Sequence, residues 1–222
     1  MKSSASASRA SVILTQRAQR SPQSRAEEAA FARLGEFLGV LGVKISFLSQ
    51  LNPSVKVANA VKTLLLLRHA KSSWDDNTLK DFDRPLNKRG LKAAPMVGET
   101  MRKRKLRPEL VLSSTAERAK ETTRLVCDAA GLIAVARYED GIYEASARRL
   151  LEIVSQTEDA VNTAMLVGHN PGLAELLAIL TGEPHHMTTA TLACIDLSIE
   201  KWSEVTSGAG KLQWIVKPKE LK

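Results

Sequence analysis

The chain has 222 residues, 44% hydrophobic and 25% charged, enough for one globular domain with a sizeable core. No run approaches the roughly 18 uninterrupted apolar residues of a membrane span, and two distant cysteines, Cys127 and Cys194, exclude a disulfide framework and read as buried small hydrophobes in a reducing compartment. The net charge of +8 owes most to residues 1–25, which hold Lys2, Arg9, Arg17, Arg20 and Arg25 and no acid; the remainder has 27 basic against 24 acidic side chains, a balance that argues against a nucleic-acid partner.

Residues 1–25 are rich in Ser, Ala and Arg and cannot bury enough apolar surface to offset the entropy of ordering, so disorder is expected. The composition resembles an organelle transit peptide and lacks the apolar segment of a secretory signal. The favoured reading is an upstream extension without function of its own, from a start placed too early, in a cytoplasmic protein. Organelle targeting through residues 1–25 is the alternative. Phe31, Leu34, Leu38 and Leu41 then recur at helical spacing, with Glu27, Glu28 and Arg33 elsewhere on the wheel, which predicts a short amphipathic helix broken by Gly35, Gly39 and Gly42. A linker, SQLNPSVKVANA, completes an extension over 1–60, and a domain is expected over 61–222.

From Val61 onward strands and helices alternate. Strand-like runs fall at Thr63–Leu67, Leu110–Leu112, Ile133–Ala136, Ala164–Val167, Thr191–Leu197 and Leu212–Val216. Helical periodicity fills Lys88–Lys105, Glu117–Ala130, Ala147–Gln156 and Gly172–Leu180. This order predicts an α/β fold, a three-layer α/β/α sandwich around a mostly parallel sheet. The unbroken Leu64–Leu67 run fits a central strand covered on both faces. The dense run RKRKLR, Arg102 to Arg107, sits at a predicted helix end, where cations complement the dipole and stay solvated.

In such sheets, ligands bind beyond the carboxyl ends of the strands. Arg68-His69 follows the first run, Thr115-Ala116-Glu117-Arg118 follows the second, and His169-Asn170-Pro171 follows AMLVG. Arg84 precedes a proline in DFDRPLNKRG. Ser114 and Glu117 have capping-box spacing, which would place Arg118 in a first helical turn. Asn170 is a candidate cap, with Pro171 at the first helical position. Helix starts and arginines suit an anion. No acidic residue is expected at these strand tips, so a doubly charged anion, phosphate foremost, is the expected ligand. An arginine or histidine alone at a strand end is an ordinary surface residue, and it is the conjunction that carries the reading. His69 and His169 lack the carboxylate or thiolate company of a zinc site. His185 and His186 read as loop residues near the site.

At these residues the sequence resembles the histidine phosphatase superfamily, phosphoglycerate mutase-like in fold, and within it the SixA-type phosphohistidine phosphatases. LLLLRHAKSSW resembles the Arg-His signature, with Ala70 where the superfamily usually has glycine. DFDRPLNKRG, VLSSTAERAKETT and LVGHNPG resemble its other motifs, in the same order, over Lys62 to about Lys217. Nothing in the family pattern corresponds to residues 1–60.

The resemblance implies that His69 is the nucleophile, that Arg68, Arg84 and Arg118 hold phosphate oxygens, and that His169 completes the pocket. A phosphoryl group in flight is stabilised mainly by positioning and charge. The arginines supply what Mg²⁺ supplies elsewhere, so no metal or other cofactor is expected. His69 must be neutral at the attacking nitrogen, and nearby arginines would push it that way. Its other nitrogen is expected to donate to a backbone carbonyl. Glu144, in YEDGIYEASARR, is the candidate general acid, and the equally weighted reading makes it a pre-cap residue beside Ser146. Lys71 and Ser72 would line the mouth, and the segment His185 to Ala193 would form part of the rim.

The expected activity is a phosphatase working through a phosphohistidine intermediate. The short connection after the third strand leaves the site open, which favours a phosphorylated protein of the histidine-phosphotransfer type. A small phosphomonoester is the alternative substrate, and a non-catalytic phosphate-binding adaptor is a third reading. No nucleic-acid or membrane partner is expected, and the chain is expected to be a monomer.

Overall fold

The computed structural model describes residues 61–132 and 135–221. The expected tail, amphipathic helix and linker of residues 1–60, and Ile133 and Ala134 of the third strand-like run, lie outside the described residues.

The elements follow in the expected alternation. Strand β1 (Lys62–Arg68) leads through a loop with a 3-10 turn (Asp81–Asp83) to helix α1 (Lys88–Lys103). Then come β2 (Leu110–Ser114), α2 (Glu117–Ala130), β3 (Val135–Glu139), a second 3-10 turn (Asp140–Ile142), α3 (Ala147–Ser155), β4 (Thr163–Gly168), α4 (Gly172–Thr181), β5 (Leu192–Leu197) and β6 (Gly210–Val216). The sheet order is β3-β2-β4-β1-β5-β6, parallel from β3 to β1 and antiparallel for β5 and β6. Four of six strands are thus parallel, and β1 is central.

The leucine run explains the layers. Side chains alternate across a strand, so Leu64 and Leu66 enter one core with Leu150, Leu166, Leu173, Leu176 and Trp202, under α3 and α4. Leu65 and Leu67 enter the other, with Val97, Met101, Val126 and Met165, under α1 and α2. All four leucines are fully buried. Each burial is worth about 1.5–3 kcal/mol, and truncating one to alanine in so tight a core costs about 2–5 kcal/mol. The strand is therefore a rigid platform.

Boundaries shift by a few residues. Helix α1 ends at Lys103, because Lys105 takes a left-handed backbone (φ 57°) and the Arg104 amide turns back to Thr100 O and Arg102 O. In the basic run after it, the Arg104 guanidinium covers the Trp214 ring at 4.4 Å. The pairing that positions the site is β1 with β4, where Arg68 stands opposite Gly168. The residues that follow, His69 and His169, leave the sheet side by side.

Candidate active site

His69 is 8% exposed, at the tip of β1. Its backbone N–H donates to Gly168 O at 3.0 Å, tying it to β4. Its Nδ1 lies 2.7 Å from Ala70 O. A carbonyl can only accept, so Nδ1 carries the proton and Nε2 keeps its lone pair. The Ala70 amide donates to Thr122 Oγ1 (2.9 Å), whose hydroxyl donates to Arg118 O (2.6 Å). The first turns of α2, which carry Arg118, are thus tied to the residue after His69.

His169 sits 4.9 Å from His69, ring centre to ring centre, and Tyr143 meets it edge-on at 5.4 Å. Its Nε2 lies 2.9 Å from Ser114 Oγ. That oxygen already accepts the Ala116 N–H at 3.3 Å, and its own proton has Nε2 as acceptor. The hydrogen-bond network therefore assigns the second proton of His169 to Nδ1, which is buried without a partner. Arg68 donates through Nη1 to Met187 O (2.8 Å), and its Nε is likewise buried without a partner. Among the described residues, three of the four unpartnered buried side-chain atoms, Arg68 Nε, His169 Nδ1 and Asn170 Oδ1, belong to this cluster. Buried donors are rarely left unmade. Two of these three are donors, which an anion at His69 would satisfy.

Arg84 and Arg118 are buried and converge on one carboxylate. Asp81 Oδ1 accepts from Arg84 Nη1 at 2.6 Å, and Oδ2 accepts from Arg118 Nη2 at 2.8 Å and from the Tyr143 hydroxyl at 2.9 Å. Arg118 Nη1 donates to the Asp81 main-chain carbonyl. Arg84 also donates to Ser73 O (2.9 Å) and to the Ser72 hydroxyl, and its guanidinium lies 3.3 Å from the Trp74 ring centre. The sequence expectation concerned the strand tips, and this carboxylate comes from the loop after β1 instead. The Asp81–Asp83 turn brings a carboxylate onto the two arginines, because two buried guanidinium groups without a counter-ion would be costly.

The electrostatics keep both imidazoles neutral. The His69 pKa falls to about 3, first through burial, then through His169, with the Ala70 carbonyl opposing and Arg118 and Arg68 adding smaller pushes. Burial, and not the expected arginines, is the main cause. His169 falls to about 4, through burial and then Arg118, against an opposing Asp81. Burial pulls Asp81 upward as its largest single influence, but Tyr143, Arg118 and Arg84 together outweigh it and hold the carboxyl below its usual range.

Two further expectations are corrected. The Ser114–Glu117 capping box does not form: α2 is preceded by Ala116 with no side-chain cap, and Ser114 turns to His169 instead. Asn170 does not cap α4, since its amide donates to Met187 O (3.0 Å). Pro171 precedes the first helical residue, Gly172. Glu144 is exposed with a left-handed backbone (φ 49°) and makes no hydrogen bond or ion pair among the described residues, while Ser146 caps α3 by accepting from Arg149 N at 3.3 Å. The structure gathers Arg68, His69, Arg84, Arg118 and His169, and it gives Glu144 no tie to them. His185 is half-buried and His186 exposed, both in the loop before β5. Sequence reasoning missed Asp81 and Tyr143, whereas Ser114 and Thr122 stand four residues either side of Arg118 in the VLSSTAERAKETT motif. Of the two missed, Asp81 carried a signal, three residues before Arg84 in DFDRPLNKRG.

The sequence profile of the histidine phosphatase superfamily (branch 1) matches residues 64–162. A protein from Agrobacterium tumefaciens assigned as phosphohistidine phosphatase SixA has a crystal structure that is 33% identical, with a TM-score of 0.62, over 71% of this chain and 98% of that one. An uncharacterized chloroplastic protein of Arabidopsis thaliana is 34% identical over 75% of this chain and 81% of its own length. An uncharacterized protein of Mycobacterium tuberculosis is 37% identical over 52% of this chain and 72% of its own. The chain belongs to the histidine phosphatase superfamily and is of the SixA type. It is a phosphatase.

Proposed function

We propose that the enzyme works through a phosphohistidine intermediate on His69 and removes phosphate from protein phosphohistidine. The carrying observation is the pairing of a buried His69, its Nε2 lone pair free, with two unpartnered buried donors, Arg68 Nε and His169 Nδ1. In the first step Nε2 attacks phosphorus, and the bond from phosphorus to the substrate's nitrogen breaks. In the second, water attacks phospho-His69, the P–Nε2 bond breaks, and inorganic phosphate leaves. Arg68 and His169 would hold the equatorial oxygens, with Arg84 and Arg118 supplying further charge once Asp81 yields them.

The carboxylates favour a phosphoramidate substrate over an alkyl phosphate. Asp81, the one carboxylate touching the cluster among the described residues, is held ionised and cannot readily protonate a leaving alkoxide. Glu144 is exposed and makes no hydrogen bond or ion pair among the described residues. A phosphohistidine imidazole can leave carrying its own proton and does not need that acid. The chloroplast location of the Arabidopsis relative supports the organelle reading of residues 1–25 over the cytoplasmic one.

The test measures turnover of a phosphorylated histidine-phosphotransfer protein beside a panel of sugar phosphates. Release from the phosphoprotein is expected to dominate, and turnover of the sugar phosphates alone would replace this substrate with a small phosphomonoester. Acid-labile label should be trapped on wild-type protein and be absent from His69→Ala. Equal label on both would remove His69 as nucleophile.

A further inference from the structure

Beside the nucleophile lies a cavity of about 400 Å³ lined by Lys71, Arg89, Lys92, Met96, Thr188 and Lys219, with Ala93, Thr189 and Pro218 completing the wall. Four cations line it and no carboxylate does. Residues 61–222 are nearly balanced, with 24 basic and 21 acidic side chains, so this clustering is local. None of the four cations joins an ion pair among the described residues.

Both walls are chain neighbours of the catalytic strand tip. Lys71 is two residues past His69, so the Cα atoms lie within about 7 Å. Its carbonyl accepts from Asn87 N at 2.9 Å, and a Cβ on Gly90 would strike that same carbonyl, so the start of α1 is clamped against this segment. On the opposite wall, Thr188 follows Met187, whose carbonyl holds Arg68, and the Ala190 amide donates to both Arg68 O (3.0 Å) and His69 O (3.1 Å). A group attached to a phosphate at His69 therefore has this cavity within reach.

Its shape selects among anions. Arg89, Lys92, Ala93 and Met96 stand at i, i+3, i+4 and i+7 on α1, one helical face about 10 Å long. Cations line its first turn and apolar groups its second. A single phosphate would use one end only, whereas an extended segment bearing acidic and apolar side chains would use both. A second observation points to a macromolecule. Trp74, Leu79 and Leu91 are 64%, 39% and 41% exposed, three of the five large exposed hydrophobic side chains among the described residues. Leu79 and Leu91 line a second cavity with Pro85 and Leu86, on the neighbouring flank of the same helix start, with Asp75 and Asp76 at its wall, so the acidic side chains of a partner would favour the first groove and its apolar ones the second. Grouped exposed apolar side chains beside a charged groove are a feature of protein contacts.

We propose that the groove formed by Lys71, Arg89, Lys92, Met96 and Lys219 docks an acidic, apolar-containing segment of the phosphoprotein substrate beside His69. This rests on the phosphoprotein reading above and adds how such a substrate is selected.

The test uses the full chain and the double variant Arg89→Glu/Lys92→Glu, whose positions are exposed. A fluorescent eight-residue peptide of Asp, Glu and Leu should bind wild type and weaken at least about tenfold in the variant, with a steep salt dependence. For the phosphorylated histidine-phosphotransfer protein, KM should rise by at least about tenfold with kcat little changed. Turnover of p-nitrophenyl phosphate should stay the same, which also reports the fold. Equal peptide binding and equal KM would overturn the groove while leaving the phosphoprotein reading standing. Loss confined to a bisphosphorylated sugar would overturn it in favour of a second-phosphate site. If wild type turns over no phosphoprotein, the substrate reading falls and the groove's role falls with it, even if the peptide still binds.

Discussion

The tips of β1 and β4 are built alike and end up different. Each strand is buried and parallel to the other, each is followed at once by a histidine, and each histidine is more than nine-tenths buried. Each is also braced by a helix start that only glycine allows so close: Gly90 against the Lys71 carbonyl, and Gly172 against that of Ala145. The difference lies in which ring nitrogen the protein holds. At β1 the neighbouring carbonyl takes the Nδ1 proton, leaving a bare Nε2. At β4 the Ser114 hydroxyl faces Nε2, leaving Nδ1 as a donor without a partner. On the mechanism proposed above, one backbone carbonyl and one hydroxyl thus turn two similar imidazoles into a nucleophile and a donor.

Deleting each ring should break this symmetry most visibly. His69→Ala should lose at least about 10⁴-fold in kcat, since no other group takes over bond formation. His169→Ala should lose about 10²–10³-fold, the scale of one preorganised donor, and should still form acid-labile label, only slowly. Rapid-quench measurement of labelled enzyme would separate them. Equal losses, with no label in either, would show that the two rings act as one unit.

The clamp beneath the two tips gives the next effect. Asp81 holds Arg84 Nη1 and Arg118 Nη2, donors that a phosphate would need. If the carboxylate competes with phosphate, Asp81→Asn should lower the inhibition constant of inorganic orthophosphate by about tenfold, because a neutral amide holds guanidinium groups less strongly than a charge does. A weaker phosphate inhibition would instead show that Asp81 orients the arginines for the ligand.

Much of this comparison was legible before any coordinates, for a physical reason. A buried parallel strand must read as an apolar run, so its end can be located to within a residue, and Arg68, His69 and His169 are placed by that alone. Arg118 follows from the start of α2, which fell at Glu117 as expected. What escaped depended on choices between competing hydrogen bonds. Ser114 could cap a helix or face a histidine, and only the distance to β4 decides. Asp81 could point to water, and two buried arginines draw it in. The third strand is described over Val135–Glu139, at the sheet edge, where the exposed side chains of Ala136, Arg137 and Tyr138 break the alternating pattern. Glu144 was weighed evenly as acid or pre-cap residue, because order in the chain does not specify where a loop side chain reaches.

The smallest expected effect tests whether both rings stay neutral for the same reason. In the unfolded chain each imidazole titrates near 6.5. In the folded chain His69 stays neutral down to about pH 3 and His169 down to about pH 4, mainly through burial. Below pH 6.5 the unfolded state therefore binds more protons than the folded state, and stability falls as the pH falls. The loss runs from about 6.5 down to the folded values and is absent above 6.5. At pH 5.5 it should amount to about 1 kcal/mol for each ring, seen as a lower Tm that a His69→Gln/His169→Gln variant does not show. The ring proton shifts of both histidines should meanwhile stay flat in NMR from pH 8 to pH 5. A shift near pH 6.5 in one ring alone would show that the two tips differ in burial as well as in hydrogen bonding.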